Sequence, residues 1–107
     1  MSARSAALAV AAAVVAVACA AGLPQPTSED AERARTSYSD VSLEQLARGR
    51  ELYVRSCAGC HTLKPPSELP TSRWRGAVDE MRQKKGARLS DEESEAIVRY
   101  LETVSQR

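Results

Sequence analysis

Three residues of the chain are spaced for chemistry: Cys57, Cys60 and His61, in the stretch SCAGCHTL from Ser56 to Leu63. Two thiols lie three positions apart, and an imidazole follows the second directly. A C-x-x-C pair serves as a redox disulfide mainly at strand-to-helix junctions of α/β folds, and no segment here has the alternation of a strand. Zinc needs four ligands, commonly from two pairs, whereas the chain has one histidine and three cysteines. A structural disulfide between Cys57 and Cys60 would close a very short loop and constrain little. The reading that uses all three residues is covalent attachment of a c-type haem, of which C-x-x-C-H is the signature. Two intervening residues let both sulfurs reach the vinyl groups along one porphyrin edge, and the next residue turns its imidazole toward the iron. Cys57 and Cys60 are then expected to carry the thioethers and His61 to be the proximal ligand. Ala58 and Gly59 are small enough for close approach of the ring.

Helices must position this motif. Ser42 with Gln45 three residues later forms a capping box, and Val41 and Leu46 are placed for a hydrophobic staple around it. The spacing predicts a first helix from Leu43 to about Ser56, with Leu46, Gly49, Leu52 and Tyr53 on one face. A second helix follows Pro70, capped by Thr71 or Ser72. Its apolar stripe is Trp74, Ala77, Val78 and Met81 at i, i+3, i+4 and i+7. Lys84 and Lys85 suit its C-terminal dipole, and Gly86 closes it. A third helix starts at Ser90, where Glu93 completes a second capping box, and buries Ile97, Tyr100, Leu101 and Val104. The fold class is therefore all-α. The part from Val41 to Arg107 holds two tyrosines, one tryptophan and no phenylalanine. A core this lean in so short a chain calls for a cofactor or staple, and a haem would fill the gap.

The N-terminal part reads differently. Residues 1–18 have the pattern of an export signal: Arg4, then an Ala-, Leu- and Val-rich run from Ala6 to Ala18 that is too short to span a bilayer. The stretch AVAC, Ala16 to Cys19, resembles the box of bacterial lipoproteins, in which the cysteine receives lipid, although Ala16 stands where leucine is usual. The alternative is ordinary cleavage after Ala18 or a nearby alanine. Lipidation of Cys19 would account for an odd cysteine in an exported protein. Residues 19–40 are polar and hold two prolines. They are expected to be a flexible tether reaching roughly 25 Å, with a short helix over SEDAERAR as an option. Without Arg4 the acidic and basic residues balance at 14 each, so no global field favours nucleic acid.

The chain from about Val41 to Leu101 resembles class I c-type cytochromes with a single haem. ARGRELYVRSCAGCH looks like the family's opening helix, with Gly49 and Tyr53 at the positions of its glycine and aromatic; EAIVRYL matches the closing helix, with Tyr100 and Leu101 facing back. The resemblance implies that these two helices cross closely at the glycine, and that these four residues build the fold. It further implies a methionine as distal iron ligand. Met81, the one methionine left once the leader is gone, stands in RWRGAVDEM, similar to short cytochrome domains in which tryptophan precedes the ligand; the plain alternative is core packing. Trp74 would contact a haem propionate or simply pack. A carbonyl at or near Pro65 or Pro66 would accept the His61 Nδ1 proton. Arg73, Arg75, Arg82, Lys84, Lys85 and Arg88 would dock an acidic partner or form a solvated face.

The resulting expectation is a monohaem electron carrier on the periplasmic side of a bacterial membrane, serving a dehydrogenase, reductase or oxidase. The alternatives are a gas-binding or catalytic haem protein with an open or labile sixth site, and a haem subunit of a larger oxidoreductase complex. No catalytic triad, phosphate loop or second haem motif is present, so no catalysis of its own is expected.

Overall fold

The computed structural model describes residues 23–57, 63–84 and 86–107, and all its regular structure is helical. Four α-helices follow one another: α1 Ser28–Ala34, α2 Leu43–Cys57, α3 Trp74–Lys84 and α4 Asp91–Val104. Two 3-10 turns, Pro66–Glu68 and Thr71–Arg73, link α2 to α3. No strand occurs among the described residues. The expected all-α class, compatible with a cytochrome c-like fold, is observed.

The capping chemistry explains where α2 and α4 begin. Ser42 and Gln45 exchange bonds of 3.1 and 3.2 Å, and Ser90 and Glu93 exchange two of 3.0 Å. Each reciprocal pair satisfies two otherwise orphaned N–H groups. Val41 and Leu46 are both buried in one small cluster, as a staple requires. α3 starts less simply. The chain enters it through the turn Thr71–Arg73, and the Thr71 hydroxyl, expected as a cap, lies 2.8 Å from Ser105 Oγ. Gly86 ends α3 with φ +70°, a conformation that glycine adopts without strain, and Ala87 N–H returns to the Met81 carbonyl at 3.1 Å.

α2 packs most extensively against α4. Gly49 makes the crossing close: a Cβ there would stand 2.2 Å from the Ala96 carbonyl oxygen. Around this crossing lie Leu52, Tyr53, Ile97, Val98, Tyr100, Leu101 and Val104, with Trp74 and Val78 of α3 completing the core.

The reading of residues 19–40 as a flexible tether is corrected from Leu23 onward. Leu23 joins the main core, and Ala31 and Ala34 of α1 are buried beside Val41 and Leu46. Side chains of the helical body grip this segment by its backbone. Arg50 donates to the Leu23 carbonyl at 3.2 and 3.3 Å, Tyr100 Oη to that of Pro24 at 2.7 Å, and Arg107 to that of Gln25 at 2.9 Å. Asp30 caps α1 in a box with Thr27 and is itself buried, paired with Arg33 and Arg107. Burial raises the Asp30 pKa, but its bonds to Arg107, to the Thr27 N–H and to Arg33 outweigh that and hold the carboxyl well below the usual carboxylate range. Tyr38 bonds Glu102, accepts from Arg75 at 3.0 Å, and lies under the Arg99 guanidinium, 4.4 Å from the ring centre. A polar composition concealed this because the attachment runs through main-chain carbonyls and one ion cluster.

Candidate functional site

α2 ends on Cys57, so the first thiol-bearing residue stands at a helix C-terminus. Cys19, Cys60, His61 and Lys85 lie outside the described residues, as does the Cys57 side chain. From Leu63, three residues past Cys60, the course of the chain is fixed by two aromatic side chains. Tyr53, one turn before Cys57, donates its hydroxyl to the Lys64 carbonyl at 2.7 Å. Trp74 donates its indole N–H to the Pro66 carbonyl at 2.9 Å. The Tyr53 and Trp74 rings meet edge to face, with centroids 6.1 Å apart and planes at 80°, an arrangement aromatic pairs favour. Both are buried, at 1% and 0% exposure. The propionate contact expected of Trp74 would require its one N–H to leave Pro66.

α3 presents two neighbouring stripes. Trp74 and Val78 are buried, while Ala77 and Met81, also four residues apart, are only partly covered and pack on the same core. Val54 of α2, Leu63, Leu69 and Leu89 are likewise partly covered apolar side chains against that core. All of them pack on the core that holds the Tyr53 and Trp74 rings. Val54 stands on the last turn of α2, before Cys57, and Met81 carries a thioether. These residues suit a planar, largely apolar ring attached at Cys57 and Cys60. The structure thus brings Tyr53, Trp74 and Met81 to one cluster beside the exit from the motif.

The cysteine and histidine spacing is matched by a family relationship. The dihaem cytochrome c family matches residues 53–107, just over half of the chain. The chain belongs to the dihaem cytochrome c family. The match begins at Tyr53 and so includes the C-x-x-C-H motif, the pinned exit, α3 with Met81, and α4. As a c-type cytochrome the protein is a haem-bearing electron-transfer protein. The family is named for two haems, whereas this member's sequence contains one C-x-x-C-H motif. No curated protein and no solved structure matches the chain.

The basic residues of this cytochrome are partly neutralised. Arg75 forms a two-pronged ion pair with Glu95 at 2.8 and 3.0 Å, and the Arg75 bond lowers the Glu95 pKa. Arg82 pairs with Asp91 at 2.9 Å and Lys84 with Glu80 at 3.7 Å. Arg73 and Arg88 are exposed. A cleft of about 300 Å³ elsewhere is lined by charges of both signs, among them Asp40, Arg48, Glu92 and Arg99, which is no place for an apolar ring. Sequence reading did not identify the two carbonyl pins or the Leu23–Gln25 clasp. The aromatic one turn before the motif was the available signal for the first pin; nothing local marks the Lys64 and Pro66 carbonyls as acceptors.

Proposed function

We propose that this protein is an exported monohaem c-type cytochrome that passes single electrons between membrane-associated redox partners. One observation carries the reading: within the family match, a single C-x-x-C-H motif begins on the last residue of α2, and Met81 is among the partly covered apolar side chains packed on the core that α2 helps to build. Cys57 and Cys60 would hold the haem covalently, and His61 and Met81 would ligate its iron. When bound, the haem supplies a one-electron ferric–ferrous couple. Leu63, Leu69, Ala77 and Leu89 would give the haem apolar neighbours. A thioether donor opposite histidine and a low local polarity both favour the reduced state. The leader and the AVAC stretch support export with a lipid on Cys19. Only three residues separate Cys19 from the bound Leu23, so the anchor would hold the body within about 14 Å of its attachment point. Dehydrogenases, reductases or oxidases of the same membrane are the partners this arrangement suits.

The family's two-haem name favours a second reading, a haem subunit working beside another haem carrier in a larger complex. The test is the haem-to-chain ratio of the purified native protein, with absorption spectra before and after carbon monoxide. One haem per chain, the weak far-red sulfur-to-iron band and no carbon monoxide binding support the electron-carrier site. Ready carbon monoxide binding would remove Met81 from the iron and favour the gas-binding alternative. Persistent co-purification of a second haem protein would favour the subunit reading. No covalent haem would overturn both.

A further inference from the structure

We propose that Tyr53 and Trp74 are positioning residues that set His61 and Met81 relative to each other, an inference that rests on the haem reading of the motif. The Tyr53–Lys64 hydrogen bond closes a stretch that contains Cys57, Cys60 and His61 in full, tying the helix before the motif to the chain leaving it. The Trp74–Pro66 bond ties the same exit segment to α3. Met81 follows Trp74 by seven residues on that helix, two turns along nearly the same face. The two donors touch each other edge to face and are almost fully buried. A displacement of the exit segment must therefore break a buried hydrogen bond or disturb the contact between the two rings. The Pro66 carbonyl, in a buried bond, would be left without its donor, which is costly away from water. Between the exit segment at Lys64 and the helix carrying Met81 there is thus a continuous connection of two buried rings and two hydrogen bonds. Both aromatics do more than fill the core, and the indole N–H acts on the backbone.

Tyr53→Phe removes one hydroxyl and keeps the ring, so it is the primary variant, read in the full haem-loaded chain. Tyr100→Phe is its control: it removes an equivalent phenol-to-carbonyl bond, 2.7 Å to Pro24, on the N-terminal segment. Two readouts separate positioning from general loosening: the g-values of the oxidised iron in electron paramagnetic resonance, and hydrogen exchange at the Glu68 N–H in the pinned exit segment. Tyr53→Phe is expected to shift the largest g-value or split it into two species. It should also raise exchange at the Glu68 N–H, which bonds the neighbouring Pro65 carbonyl at 3.0 Å, by about fivefold, the factor for about 1 kcal/mol. Tyr100→Phe should change neither. Trp74→Phe, if it folds, should act in the same direction as Tyr53→Phe. Unchanged g-values in haem-loaded Tyr53→Phe would overturn the proposal, as would an equal shift in Tyr100→Phe. A wild-type chain with no covalent haem mass would overturn the haem reading itself, and the proposal with it.

Discussion

The crossing of α2 and α4 at Gly49 supports a quantitative prediction. In Gly49→Ala the new methyl would lie 2.2 Å from the Ala96 oxygen and 2.9 Å from both the Ala96 carbonyl carbon and Tyr100 Cβ. An ordinary carbon-to-oxygen contact is about 3.3 Å or longer, so the two backbones must part by roughly 1 Å. No rotamer change relieves a contact between main-chain atoms. The same separation is felt along the seam, where Leu52 and Tyr53 share one core with Ile97, Tyr100 and Leu101. A gap of about 0.5–1 Å forfeits a quarter to a half of the dispersion energy of the facing atoms. Overpacking of this kind costs about 1–3 kcal/mol and sometimes more, and a main-chain clash belongs at the upper end. Alanine's better helix propensity returns up to about 1 kcal/mol. A net loss of about 2–3 kcal/mol corresponds to a fall in melting temperature of roughly 10–20 °C in a domain of this size.

Gly76→Ala supplies the comparison. Gly76 sits inside α3 with nothing within 4 Å of a built Cβ, so only the propensity gain of up to about 1 kcal/mol should remain. Both substitutions stiffen the unfolded chain alike, so their difference isolates the contact at Ala96. Thermal unfolding followed by circular dichroism on the haem-loaded protein measures both. A Gly49→Ala melting point within about 3 °C of wild type would refute the close crossing. So would a Gly76→Ala loss as large as that of Gly49→Ala.

Two further predictions concern the N-terminal segment. The Asp30 pKa is depressed in the folded state, so its contribution is complete above the unfolded value of about 4 and is lost as pH falls toward the folded one. Asp30→Asn should therefore melt lower at pH 7 yet lose less additional stability than wild type between about pH 4 and pH 2.5; parallel pH profiles would contradict the assignment. A chain beginning at Asp40 behind an unrelated export leader loses the burial of Leu23, Ala31 and Ala34 and should unfold about 2–4 kcal/mol more easily while still acquiring haem. An unchanged denaturant midpoint would return residues 23–39 to the role of a tether.

What was legible in the sequence and what was not divides along a physical line. The boxes at Ser42 and Ser90 were legible because capping is a contract between residues three apart, and the stripe Ile97–Tyr100–Leu101–Val104 because one helix face repeats locally. Gly49 was legible only through the resemblance to a known family, since a glycine within a helix does not itself say what approaches it. The motif was legible because haem attachment constrains residue type and spacing together. Residues 23–40 were opaque for the opposite reason. Their binding partners are Arg50, Tyr100 and Arg107, distant in sequence, and those side chains grip backbone carbonyls that any residue would offer. Asp30 looked like one more charge in a polar run, yet its burial is tolerable only because Arg107, 77 positions away, reaches it. The same holds at the site. Tyr53 read as core and Trp74 as a propionate contact or core; their polar tips select the Lys64 and Pro66 carbonyls, a choice made by tertiary geometry alone. A hydrophobic pattern marks which side chains go inside, whereas the backbone groups they meet there depend on how the helices cross, and at α2 and α4 that crossing is set by a residue with no side chain.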